Sequence, residues 1–129
     1  MAQLYLLFNH TLTREQQCCA RSELGVEKIV DPPPHIRALW ANIPAGQAAI
    51  RPALTPVFAW IDQEIAPGDF LLVQGDFGAC WLVAKYAEQH GIVPVYATTR
   101  REATERHTGD NQIEITHTFR HVRFRQYGK

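Results

Sequence analysis

Three short polar segments of this chain carry residues able to handle a phosphodiester. Asn9-His10-Thr11 sets an imidazole, the side chain best suited to acid or base work near neutral pH, between an amide and a hydroxyl donor. Gln74-Gly75-Asp76-Phe77-Gly78 places two glycines around an acid and an aromatic ring. Bare amides at a helix start bind phosphate, and a ring in a polar loop can stack on a base. Thr98-Thr99-Arg100-Arg101 supplies two hydroxyls and two guanidiniums, whose planar fork matches phosphate oxygens. Each segment also has a plain structural reading. His10 can cap a strand, the glycines can serve a tight turn, and Phe77 can pack under its loop. One arginine can be solvated while the other pairs with Glu102 or Glu105. Asp76 would repel an anion unless its carboxylate points away, and Gly75 with Gly78 falls short of the dinucleotide fingerprint.

The other polar side chains are less pointed. Arg120, His121, Arg123 and Arg125, with His117 before them, lie along the final stretch, where they form either a solvated strand face or a local anion site. No histidine pair stands beside a carboxylate at ligand spacing, so neither a metal nor a cofactor is expected. Cys18, Cys19 and Cys80 are odd in number and include a vicinal pair, which offers no disulfide framework and fits a reducing compartment.

The elements that must position these groups are legible from periodicity. Leu4 to Phe8 is a continuously apolar run, the mark of a parallel strand covered on both faces, and Asn9-His10 ends it. Thr13 with Gln16 makes a capping box for a helix closing at Gly25; Val26 to Val30 reads as a second strand stopped by Asp31 and three prolines. Ile36, Leu39, Trp40 and Ile43 suggest a short helix. Leu54, Val57, Phe58, Ile61 and Ile65 make the strongest amphipathic stripe, ended by Pro67-Gly68. Phe70 to Val73 is a third strand leading through Gln74 to Gly78 into a helix that ends at His90-Gly91, and Val93 to Ala97 is a fourth. Beyond it, Gly109-Asp110-Asn111 signals the turn of a β-hairpin. Ile113, Ile115 and Phe119 share one parity and Val122 and Phe124 the other, so the inward face must switch near Arg120-His121 through a bulge or break. Alternating strands and helices give an α/β fold: one Rossmann-like domain over residues 1–129, a mostly parallel open sheet with helices on both faces and a C-terminal β-hairpin. In such sheets ligands bind beyond the carboxyl ends of the strands, where the three polar segments would converge.

At 129 residues, with about 100 to 200 per domain, a two-domain enzyme is excluded, and 46% apolar with 20% charged residues excludes disorder. Net charge is zero, which removes any argument for DNA binding from a globally basic surface. The distribution is uneven: residues 1–99 carry six Lys/Arg against nine Asp/Glu, and residues 100–129 carry seven against four. No apolar run reaches the roughly 18 residues of a membrane span, and the first residues lack a basic leader, so a cytoplasmic protein is expected.

The motifs Leu-Tyr-Leu-Leu-Phe-Asn-His at 4–10, Leu-Val-Gln-Gly-Asp-Phe-Gly-Ala at 72–79, Pro-Val-Tyr-Ala-Thr-Thr-Arg-Arg at 94–101 and Phe-Arg-His-Val-Arg-Phe-Arg-Gln-Tyr at 119–127, in this order, resemble the small stand-alone proteins found beside type III CRISPR systems. Those proteins are similar to CARF domains, the CRISPR-associated Rossmann fold. Members are assigned as ring nucleases, which degrade cyclic oligoadenylate second messengers. The resemblance spans nearly the whole chain. It implies a homodimer that binds a ring of adenylates, cyclic tetra-adenylate foremost, across its two-fold axis and linearises it without metal. No catalytic residue of the family is carried over individually. From chemistry alone the catalytic candidates are His10, Thr99 and Arg100, with Asn9, Thr11, Gln74, Gly75, Asp76, Phe77, Gly78, Thr98 and Arg101 around the ligand. A non-catalytic sensor or sink for the ring, and a generic nucleotide-binding flavodoxin-like enzyme, are the competing expectations.

Overall fold

The computed structural model describes residues 1–109 and 111–129. Five strands, β1 (Gln3–Leu7), β2 (Lys28–Val30), β3 (Phe70–Val73), β4 (Val93–His107) and β5 (Ile113–Gln126), form one sheet in the order β2-β1-β3-β4-β5. The first three pairings are parallel and β4 with β5 is antiparallel. The protein is therefore α/β with a mostly parallel sheet.

The apolar runs read as strands covered on both faces are so covered. Tyr5, Leu7, Leu71 and Val73 face one way, onto a core with Ile36, Trp40, Val57, Ile61, Val83 and Ala87. Those partners come from α2 (Pro34–Ala41), α3 (Thr55–Glu64) and α4 (Phe77–Gln89). Leu4, Leu6, Leu72 and Val95 face the other way, against Leu12, Ala20 and Phe124. That face is covered by α1 (Arg14–Cys19), which opens on the expected capping box, Thr13 Oγ1 accepting from Gln16 N at 3.1 Å and Gln16 Oε1 from Thr13 N at 2.9 Å. The helix widens into a π turn over Ala20–Leu24 before Gly25, at φ 66°, turns the chain.

One expectation is corrected. The fourth strand does not end at Ala97, and Thr98 to Arg101 is not a loop: β4 runs on for ten more residues as one arm of a β-ribbon with β5. The hairpin's first arm is thus the fourth sheet strand itself, because residues 98–107 hold the extended pattern and find a continuous partner in residues 113–123. Register slips once, between Thr98, opposite Arg123, and Thr99, opposite His121. Val122 is the extra residue, one position beyond the face switch expected from parity. From Thr99 outward every described ribbon residue up to Arg120 is exposed. Of the expected turn, Asp110 lies outside the described residues, while Gly109 (φ 137°) and Asn111 (φ 63°) both adopt left-handed backbone. No described helix is long and apolar enough to cross a membrane.

Candidate functional site

β1 leads to α1 on one face of the sheet, whereas its neighbour β3 leads to α4 on the other. The chain thus departs in opposite directions above two adjacent carboxyl ends, which opens a crevice there. Phe8, Asn9, His10, Gln74 and Gly75 line it, around a volume of about 200 Å³. The His10 ring is exposed and meets Phe8 edge-on at 5.4 Å.

Gln74 fixes the floor. Its backbone N donates to Leu7 O at 3.1 Å, its side-chain Oε1 accepts from Ala97 N at 2.7 Å, and its carbonyl accepts from Trp40 Nε1 at 2.8 Å, tying together β1, β4 and α2. Gly75 follows because nothing larger fits: a Cβ there would stand 2.7 Å from Trp40 Nε1. Asp76 turns its carboxylate onto its own helix, Oδ1 accepting from Ala79 N at 2.9 Å as the N-cap of α4. That cap occupies the helix start expected to hold a phosphate, so an anion arriving there meets a carboxylate. A Cβ at Gly78 would make only ordinary contacts at 3.5 Å, so close packing does not explain that glycine. Phe77, the first residue of α4, is 94% exposed rather than packed under its loop.

On the far side of Gln74 and Gly75 lies a larger groove of about 770 Å³, within the ordinary range for small-molecule sites. Phe77, Trp81, Lys85, Tyr96 and Tyr127 shape it, with Cys80 at its base. Tyr127 is a wall rather than a reagent: its hydroxyl donates to Val73 O at 2.6 Å, and burial drives its acidity well below that of a free phenol. Burial likewise pushes the Cys80 thiol up, which keeps it protonated and poorly nucleophilic at neutral pH. Lys85 Nζ lies 4.9 Å from the centre of the Trp81 ring. Sequence reasoning missed Trp81, Lys85, Tyr96 and Tyr127. A signal existed: Trp81 lies outside the stripe of Ala79, Leu82, Val83 and Tyr86 that turns α4 inward, so its large ring had no core to enter.

The ribbon keeps its residues apart from the crevice. Thr98 Oγ1 donates to Arg123 O at 3.1 Å, so that hydroxyl serves the strand pairing. Arg100 Nε stands 3.7 Å from Glu102 Oε1 in an exposed ion pair, the structural alternative considered for it, and Thr99 and Arg101 are exposed. Alternation along β4 puts Tyr96, Thr98 and Arg100 on one face, and the register sets Arg125, Arg123 and Arg120 opposite them. Thr11 is exposed on the way to α1 and does not line the crevice. Asn9, His10, Gln74 and Gly75 therefore come together; Thr99, Arg100 and Arg101 do not join them. Among the described residues no three His, Cys, Asp or Glu side chains gather as metal ligands would.

Fold and hollows define a small α/β protein with a ligand-sized groove beside the carboxyl ends of a mostly parallel sheet. Within that class the chain belongs to the Uncharacterized protein MJ1673 family, whose model matches residues 2–125. It is 35% identical over 127 residues to the Uncharacterized protein MJ1673 of Methanocaldococcus jannaschii, with 98% of each chain covered. No solved structure matches it.

Proposed function

We propose that this protein is a Rossmann-like, CARF-type ring nuclease of type III CRISPR defence, a homodimer in the cytoplasm that binds cyclic oligoadenylate and opens it without metal. The observation that carries this reading is the crevice where β1 and β3 diverge, which is lined by His10, Asn9 and Gln74 and meets the larger groove at Gln74 and Gly75. A two-fold axis near these strand ends would present two such half-sites to a ligand with its own rotational symmetry.

The reaction needs little covalent help from the protein. The ribose 2′-oxygen attacks the adjacent phosphorus, its proton passing to water or a nearby base; the bond from phosphorus to the 5′-oxygen breaks, and that oxygen takes a proton from His10. The product is a linear oligoadenylate with a 5′-hydroxyl and a 2′,3′-cyclic phosphate. Holding the three reacting atoms in line and donating to the developing charge supply the rate. Asn9 and Gln74 are the polar residues that line the crevice with His10 and would orient that phosphate, while the ribbon arginines stand apart from the crevice and would meet other phosphates of the ring.

The test is incubation of the protein with labelled cyclic tetra-adenylate in EDTA, followed by chromatography. Linear fragments ending in 2′,3′-cyclic phosphate are expected. Tight binding with the ring intact would replace this reading with a sensor or sink, and neither binding nor cleavage would overturn it.

A further inference from the structure

We propose that the groove between α4 and β4 is an adenylate subsite, in which a base stacks among Phe77, Trp81 and Tyr96 while its flanking phosphates lie along the arginines of the ribbon. The occupant's identity as an adenylate rests on the reading above; the site itself rests on three separate observations. The first is the exposure of two large rings, Phe77 at 94% and Trp81 at 60%, on consecutive turns of one helix and facing a hollow of about 770 Å³. Exposed rings beside a hollow suit base stacking, which every base offers through its π face.

The second is the charge at the rim. Tyr96 lines the groove and also begins the arginine face, with Arg125 5.7 Å from its ring centre and Nη1 donating to its hydroxyl at 3.2 Å. Further out, Arg100, whose Nε also stands 3.7 Å from Glu102 Oε1, lies directly opposite Arg120 across the ribbon. Like charges at a cross-strand pair destabilise it. Charges that merely protect an edge strand from aggregation need no such pairing, whereas a phosphate between two guanidiniums turns the repulsion into attraction.

The third is the polar furnishing inside an otherwise apolar hollow. Glu88 is among its lining residues, a carboxylate that accepts hydrogen bonds and donates none, which suits the exocyclic amine of adenine. Lys85, held over Trp81, supplies a cation on the same wall.

Trp40 and Trp60 are 2% and 5% exposed, so quenching of tryptophan emission by iodide reports on Trp81. The probes are cyclic tetra-adenylate and a linear adenylate tetranucleotide. Both should shield Trp81 from iodide, and Trp81→Ala should weaken binding of each roughly 5- to 150-fold, while Trp81→Phe, which keeps a stacking ring, should lose far less. Arg120→Ala with Arg123→Ala should flatten the dependence of binding on salt. If the ring binds and is cleaved while Trp81 stays open to iodide, the subsite falls and the nuclease reading stands. If the ring fails to bind but the linear oligonucleotide shields Trp81, the nuclease reading falls and the subsite stands. Shielding by neither ligand removes the subsite, as does a Trp81 that is covered without ligand and uncovered on dilution, which would make a second copy the occupant.

Discussion

His10 and Arg100 look alike in sequence, since each follows an apolar strand at the edge where ligands bind, yet the fold treats them differently. His10 lies where two connections diverge, while Arg100 is carried outward on a ribbon and pairs with Glu102. Local sequence held no sign of this difference, because it depends on whether β4 stops at Ala97 or finds a partner beyond it. His10→Ala is therefore expected to lower the single-turnover rate of ring opening roughly 10²- to 10⁴-fold, as for loss of a general acid. Ring affinity and melting temperature should stay near those of the parent, because an exposed side chain acting in the transition state supports neither. A variant that cleaves within threefold of the parent would move the chemistry elsewhere. His121 offers a prediction of the opposite kind. Both its ring nitrogens are buried without a hydrogen-bond partner, and burial pulls its pKa below the usual histidine value against the opposing pull of Glu15 and Glu23. The unfolded chain then binds the proton more readily than the folded one, so this histidine costs nothing above its unfolded pKa and removes stability as pH falls below about 6.5. Urea midpoints of the parent and of His121→Leu, compared between about pH 7.5 and pH 5.5, should diverge toward acid, with the parent losing more. Parallel curves would show that His121 titrates alike in both states.

At the scale of elements, the sequence was most informative where a pattern is local and least where it depends on pairing. The stripe from Leu54 to Ile65 becomes α3, preceded by a 3-10 turn over Arg51–Leu54, and the Thr13 capping box opens α1 as written. The span of β4 could not be read in the same way. Thr-Thr-Arg-Arg is neutral between a loop and an exposed strand, and only the register with β5 decides it. Gly75 and Asp76 likewise invited a phosphate reading because a glycine next to a helix start has two uses; here the close approach is to Trp40, and the carboxylate serves as a cap. Asp76→Ala should cost about 0.5 to 2 kcal/mol through the lost cap, measured by urea unfolding. Gly75→Ala should destabilise by about 1 to 3 kcal/mol, because the Trp40 indole is held by its bond to Gln74 O and cannot yield without breaking it. An Asp76→Ala protein that is as stable as its parent and binds the ring more tightly would instead return the α4 N-terminus to the phosphate site.

For the whole molecule the ribbon poses the main question, since strands of this length usually cover something. Its two faces differ. The Tyr96 face carries Arg100, Arg120, Arg123 and Arg125, while the opposite face presents Phe119, 70% exposed and paired across the ribbon with Arg101, and Ile113 and Ile115, both at 56%. Alternate residues on one strand share a face, so the three side chains, with His117 between Ile115 and Phe119, form a largely apolar stripe that leaves the body of the sheet and has none of the described elements over it. An exposed apolar ribbon edge is a hazard unless a partner buries it. A second copy meeting the stripe about a two-fold axis would cover it with its own equivalent, and would leave both arginine faces free for phosphate. The dimer expected from the ligand's symmetry and the cover required by the ribbon would then be one assembly. Light scattering of the purified protein should give twice the mass of the 14.7 kDa chain. Phe119→Glu, which puts a hydrated carboxylate at the centre of such an apolar contact without touching either core cluster, should shift that mass to the monomer at micromolar concentration and leave the melting profile of the sheet recognisable. It should also reduce ring cleavage, because each monomer would keep only half of the shared site. A Phe119→Glu protein that remains dimeric would place the two-fold contact away from the ribbon, and a monomeric variant that cleaves at the parental rate would show that one chain holds a complete site.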